Sequence, residues 1–516
     1  MKKYILIIVT TFVLSGYVHG QTEPARIITP GAVELNQARS LWANTSNAAG
    51  LAFHPLQNYN IASVFYHNRW GEYRLYHEGE KFRDLGFNTN GALKIGKVTL
   101  WGNFSFSDNF TSASNFNTNR NEYRNDMPYW MADSLVSDFR RQYYDVAFKV
   151  AVPLGERLSI GTEIDYKVHK GAKQRDPSSV IYDLHVTLMP SLMFKINDNH
   201  YAGANFIYST MTDRTTFRTN SSSQMNHNGF LMRGVGNFQI GMLGGTGGFA
   251  ALYTMWDLFG GGLQYGLFGN NMDIALNLNY IRKKSETFEN NTTPQRRGDT
   301  YNTTYNGSLQ FLYKGSVTHK VDVLANISAT KGVEHLQIFR DDYVVKKWET
   351  LVQFTKSTFD QTDFALQYNA FIGSDFDYSW KIGIDGYYSD RLEKYIIPYS
   401  ELMVRDFYAG LHAAKSVAFS ASSQLLLELS GGYKNNMDGH YNYGGPDASH
   451  PVISNMYKHE VAYLLDSFTQ IGCNVNYSFI FKSRSSANIS LDWKWIKPKT
   501  LETDRQFFTA TFAYIF

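Results

Sequence analysis

The chain has 516 residues, with 49 Lys and Arg against 46 Asp and Glu, so its formal charge is only +3. That balance excludes nucleic acid as a partner, because no basic excess exists to displace phosphate counterions. Aromatic residues reach 16% while charged residues fall to 18%, which excludes intrinsic disorder; with one cysteine, Cys473, no internal disulfide and no cysteine-built zinc site can form.

At the N-terminus, Met1-Lys2-Lys3 precedes an apolar stretch from Tyr4 to Leu14 and the small-residue series Ser15 to Gly20. This order predicts a secretory signal over residues 1–20, cut after Gly20. No later run approaches the roughly 18 consecutive apolar residues of a spanning helix, a test to which barrels are blind. Residues 21–58 form a distinct N-terminal segment: Gly31 to Trp42 reads as a short helix and Ala43 to Gly50 as loop.

From residue 59 to the end, side chains alternate with period two. Tyr144, Val146, Phe148, Val150 and Val152 share one parity, while Arg141, Asp145, Ala147, Lys149 and Ala151 share the other. One face meets oil and the other meets something polar. Residues 158–169 repeat the pattern after the tight turn Pro153-Leu154-Gly155, which predicts an antiparallel hairpin. Further pairs are predicted at 181–196 with 200–210, 302–314 with 317–329, 362–373 with 378–389, 399–414 with 417–433, and 466–482 with 486–496. The polar stretches 108–140, 213–229, 284–301, 331–358 and 435–456 between pairs read as long loops, large and Tyr- and Asn-rich. Alternating runs of about ten to fifteen residues exceed the usual strand and fit a tilted bilayer crossing of about nine to eleven. The expected fold is all-β: a transmembrane antiparallel up-and-down barrel over residues 59–516, of about 18 strands (16–20), with a short N-terminal segment in its lumen.

The charges expected to face that lumen are Arg141, Lys149, Glu163, Asp165, Lys167, His169, Asp183, His185, Lys320, Asp322, Lys381, Asp385, Asp492 and Lys494. Their mixed signs suit a hydrogen-bonded network across the wall. Trp101, Trp380, Tyr388, Tyr477, Trp493 and Trp495 are expected at the headgroup level as aromatic girdles, and Cys473 on the lipid face with Ile471, Val475 and Tyr477. No G-x-S-x-G, H-E-x-x-H or established metal-ligand spacing occurs, so no catalytic residue, cofactor or metal is expected.

The chain ends on Phe508, Ala510, Phe512, Tyr514 and Phe516 in one parity. This tail resembles the insertion signal of bacterial outer-membrane barrels, which implies the outer-membrane assembly machinery as a partner. Leu41 to Phe53, with Trp42, Asn44 and Asn47, resembles the hatch sequence of the fatty-acid channel superfamily, although Asn-Ala-Ala-Gly stands where an Asn-Pro-Ala type sequence occurs there. Together with Leu100 to Phe104 and Arg175-Asp176-Pro177, these features resemble an uncharacterised family of outer-membrane barrels from Bacteroidetes. The resemblance implies a bacterial outer-membrane location, contact with outer-membrane lipids and lipopolysaccharide, and a place beside nutrient uptake. Three functions follow in order: a channel for passive uptake of a small solute, a non-catalytic scaffold docking a surface lipoprotein or transporter, and an outer-membrane enzyme.

Overall fold

A computed structural model describes residues 27–118, 128–218, 227–244, 249–290, 293–342, 346–374, 377–481 and 485–516; the predicted signal over 1–20 lies outside them. Eighteen strands form one antiparallel sheet that closes on itself. The first, Tyr59–Trp70, pairs with the second, Lys81–Ile95, and with the last, Arg505–Ile515. Each strand between pairs with its sequence neighbours in the sheet, so this is an up-and-down barrel. Closure leaves no edge whose amides lack partners, the condition a sheet must meet in hydrocarbon.

The alternation read from the sequence sorts the side chains. Val64, Phe148, Ile164, Leu263, Ile384, Leu411 and Phe512 point outward and are exposed, Leu263 by 69%. On the opposite parity, Arg141, Lys149, Asp183, Lys320 and Lys381 point inward and are buried. Trp380, Tyr388, Tyr477, Trp493 and Trp495 share the outward parity of exposed neighbours such as Ile382 and Leu491. Trp101 does not: it faces inward, packs beside Val33, Leu56 and Tyr59, and lies under the Lys149 ammonium.

Short turns gather at one end, where Gly96 and Gly155 adopt positive φ, the left-handed region that tight turns favour. At the other end two polar stretches differ most from expectation. Residues 284–301 are mostly strand, in Met272–Glu289 and Gln295–Lys314. Residues 331–358 are nearly all strand, within Val317–Asp341 and Lys346–Gly373. Pairing to the flanking strands stops at Asp299 with Val333 and at Ser357 with Tyr395, so the rest of this hairpin extends beyond the wall as a two-stranded ribbon. The pair expected as 399–414 with 417–433 is Ser400–Ser420 with Ser423–Asn442, its turn moved to 421–422.

The long-loop end is covered. Trp130–Asp133, Asn228–Gly234 and Asn237–Met242 form a small sheet of their own. It packs through Ala132, Phe230 and Met232 onto Val452, Ile453, Met456 and Tyr457 of the helical segment Val452–Leu465. Arg233 donates to Glu334 (3.2 Å) at the base of the ribbon and Asn237 to Ser400 (3.2 Å) of the wall, which ties this cap to both.

Candidate functional site

The N-terminal segment packs inside the short-turn end. Thr29 caps a helix over Pro30–Arg39 by accepting from the Ala32 amide (3.1 Å), with proline at its first position, where a missing N–H costs nothing. Instead of plain loop, two 3-10 turns follow, Leu41–Asn44 and Ala48–Ala52. The small residues Ala48, Ala49 and Gly50 let the second turn lie directly on the wall. A Cβ at Gly161 would collide with the Ala49 backbone, and one at Gly266 with the Trp42 indole (2.5 Å), so these inward wall glycines form the seat.

Trp42 is fully buried and packs beside Phe268, ring centroids 5.5 Å apart. Asn47, also fully buried, donates to Leu192 O and Gln264 Oε1, both at 2.8 Å. Ser159 donates to Ala49 O (2.8 Å), Gln310 to Leu41 O (3.0 Å), and Lys149 to Ala43 O (3.0 Å) while pairing with Glu163 (3.1 Å). Wall strands on several sides of the barrel therefore hold one plug.

Between plug helix and wall lies a polar cavity of about 470 Å3. Its lining includes Glu34, Gln37 and Asn44 from the plug and Lys320, Asp322, Lys381, Asp385, His412 and Glu428 from the wall. Lys381 sits between Glu34 (2.9 Å) and Glu428 (3.0 Å), and Tyr378 donates to the other oxygen of Glu34 (2.5 Å). Lys320 pairs with Asp322 (2.6 Å), and His412 Nδ1 lies 2.9 Å from Asp385 Oδ2. The lysine shared by a wall glutamate and a plug glutamate is an ionic tie between plug and wall.

Of the residues singled out in the sequence, Lys320, Asp322, Lys381, Asp385 and Asn44 meet at this cavity. Arg141, Lys149, Glu163, Asp165, Lys167, Asp183 and His185 lie on the inward faces of Ser137–Pro153, Leu158–Lys173 and Ser178–Lys195, a different arc of the wall. There Arg141 donates to Thr111 (3.1 Å), His169 bridges Asp145 (2.8 Å) and Asp183 (3.3 Å), and His185 meets Ser209 (2.8 Å). Phe512, Tyr514 and Phe516 are exposed outward, with Phe508 on the same face. Glu34, Gln37, His412 and Glu428 escaped the sequence reading. Glu428 had a signal: it alternates with Leu425, Leu427 and Leu429.

Two buried titratable groups outside the wall predict opposite pH responses. His54 stacks on Phe268 (3.9 Å), and burial, with Lys314 and Lys195 nearby, pushes its imidazole down from 6.5 to about 4. The docked plug thus prefers neutral His54. Docking is at full strength above pH 6.5 and weakens as pH falls from 6.5 towards 4, by at most about 3 kcal/mol. Protease cleavage of residues 27–57 in detergent should rise over that window, and His54→Phe should flatten the profile; a flat wild-type profile contradicts this. In the cap, burial pushes Glu460 up to about 7 against the pull of Arg391, so its contribution is fully present below 4.5 and is lost as pH rises through 7.

Residues 48–516 match the model of a family of unknown function, DUF6850, and the chain belongs to that family. A comparison with curated proteins finds no match. Among solved structures the chain is similar to the ferric preacinetobactin receptor BauA from Acinetobacter baumannii, at 8% identity and TM-score 0.39 over 89% of this chain and 80% of that one. It is also similar to Pseudomonas aeruginosa OpdK with vanillate, at 9% identity and TM-score 0.35 over 89% and 98%. A third is the monoaromatic hydrocarbon channel TodX, as a deletion mutant, at 11% identity and TM-score 0.30 over 91% and 92%. At these TM-scores nothing about ligand or gating carries over to this chain.

Proposed function

We propose that this DUF6850 barrel sits in an outer membrane and admits a small polar solute passively, with residues 27–57 as its gate. The carrying observation is the polar cavity between plug and wall, bounded by an ion triad that must open for the helix to leave. An apolar band on the outward face around the wall supports the membrane setting. The short turns then face the periplasm and the capped loops face outward. Lipid and lipopolysaccharide meet the outer surface, and Phe508, Phe512, Tyr514 and Phe516 serve the assembly machinery.

Lys381→Ala removes the cation between Glu34 and Glu428 and leaves two carboxylates facing each other, which repel. In planar bilayers this variant should open more often than the wild type, and adding Lys149→Ala should raise opening further. Equal silence from all three proteins contradicts the gate. A second reading, a scaffold for a surface lipoprotein or transporter, draws on the ribbon, where Leu336, Leu351 and Val352 are exposed by more than half. It predicts a silent barrel that co-purifies with a partner.

A further inference from the structure

Building on that channel reading, we infer that the conduit selects cationic solutes, amines or guanidinium compounds of small size, over anions of equal size. The wall side of the cavity, which stays when the plug helix leaves, carries Lys320 and Lys381 against Asp322, Asp385 and Glu428, and Glu34 adds a further carboxylate while the plug is docked. Exposure sharpens the imbalance. Within the pairs, side-chain exposure is 3% for Lys320 against 25% for Asp322, and 7% for Lys381 against 39% for Glu34 and 30% for Glu428. His412 is 7% exposed and its partner Asp385 38%.

In both lysine pairs the ammonium is withdrawn and the carboxylates face the open space, and beside the buried His412 ring Asp385 does the same. A solute in the cavity therefore meets acceptor oxygens, while the ammonium groups are already held by protein partners at 2.6–3.0 Å. A low-dielectric wall focuses the surplus negative field into the cavity, which enriches cations and raises the barrier for anions. Gln367 and Asn369 add amide groups to the same lining, suited to orienting a polar head.

The test is the reversal potential of the full-length protein in planar bilayers under a KCl gradient, followed by liposome swelling with arginine and with glutamate as solutes. Potassium should pass about tenfold more readily than chloride. Arginine should enter faster than glutamate. Asp385→Asn, which lies off the ion triad holding the plug, should bring the potassium preference down towards unity without raising the frequency of opening. Glu428→Gln should do both, since it also weakens the hold on Lys381. Conduction with equal or inverted preference overturns the inference and leaves the channel intact. Absence of conduction in every variant overturns the channel and the inference with it.

Discussion

Removing residues 27–52 should turn a mostly closed barrel into a steadily conducting one. Barrels of 16–18 strands enclose an aqueous channel when nothing fills them, and here, among the described residues, this segment fills the short-turn end. Trp42, Ala49 and Leu51 share a core with Met193, Tyr201, Phe268 and Leu312 of the wall, and those wall residues do not depend on the plug for their strand pairing. The wall should therefore survive the deletion. Single-channel recordings should show continuous current of the order that an open 16–18-stranded porin carries. A wedge reaches the same end without deletion. Gly161→Val places branched carbons where the Ala49 backbone lies, and overpacking of this kind costs about 1–3 kcal/mol, enough to shift the gate several-fold or more towards open. Persistently absent current in both variants means that the cap over the long loops, not the plug, closes the lumen.

The second large effect concerns closure. Deleting residues 505–516 removes the strand whose amides pair with both Ile61–Trp70 and Ser486–Ile496. Two edges are then left facing hydrocarbon, where each unpaired amide group costs several kcal/mol. No folded species resistant to SDS at room temperature should form. Phe516→Ala separates fold from targeting: its exposed ring contributes little to the wall, so refolding into detergent should match the wild type, while insertion in cells should fall steeply. Normal insertion of that variant removes the role assigned to the terminal residue.

The wall was legible because lipid imposes a simple rule on alternate residues. Val146 and Phe148 against Arg141 and Lys149 declare two faces without further help. The rule lapses where the wall leaves the lipid. Arg282, Lys284 and Glu286 share the outward parity of Tyr280, yet lie beyond the apolar band, so 284–301 lost its alternation and read as loop while its pairing continued. The ribbon was hidden for the same reason. Trp101 was misplaced because a large aromatic is equally at home in a girdle and against a plug, and only the buried neighbours Val33 and Tyr59 decide. The turn at 421–422 has neither Gly nor Pro to mark it.

At the site, Lys381 and Asp385 could be placed on an inner face from parity alone. Their partners could not, because Glu34 reaches Lys381 from a segment 347 residues away. The seat glycines were equally silent. In a strand, Gly161 and Gly266 look like weaknesses until the plug backbone is laid against them.

That the cylinder is apolar outside and wet inside can be read from its single native thiol. Cys473 pairs in register with Leu429 and Trp493, both exposed on the outer face, whereas Gln470 three residues earlier lines the cavity. In lipid nanodiscs a charged thiosulfonate reagent should leave Cys473 unmodified while a lipid-soluble maleimide labels it. Gln470→Cys in a Cys473→Ser background should react with the charged reagent, and faster once residues 27–52 are removed. Rapid modification of Cys473 by the charged reagent, with position 470 inert, contradicts the assignment of faces and the barrel function built on it.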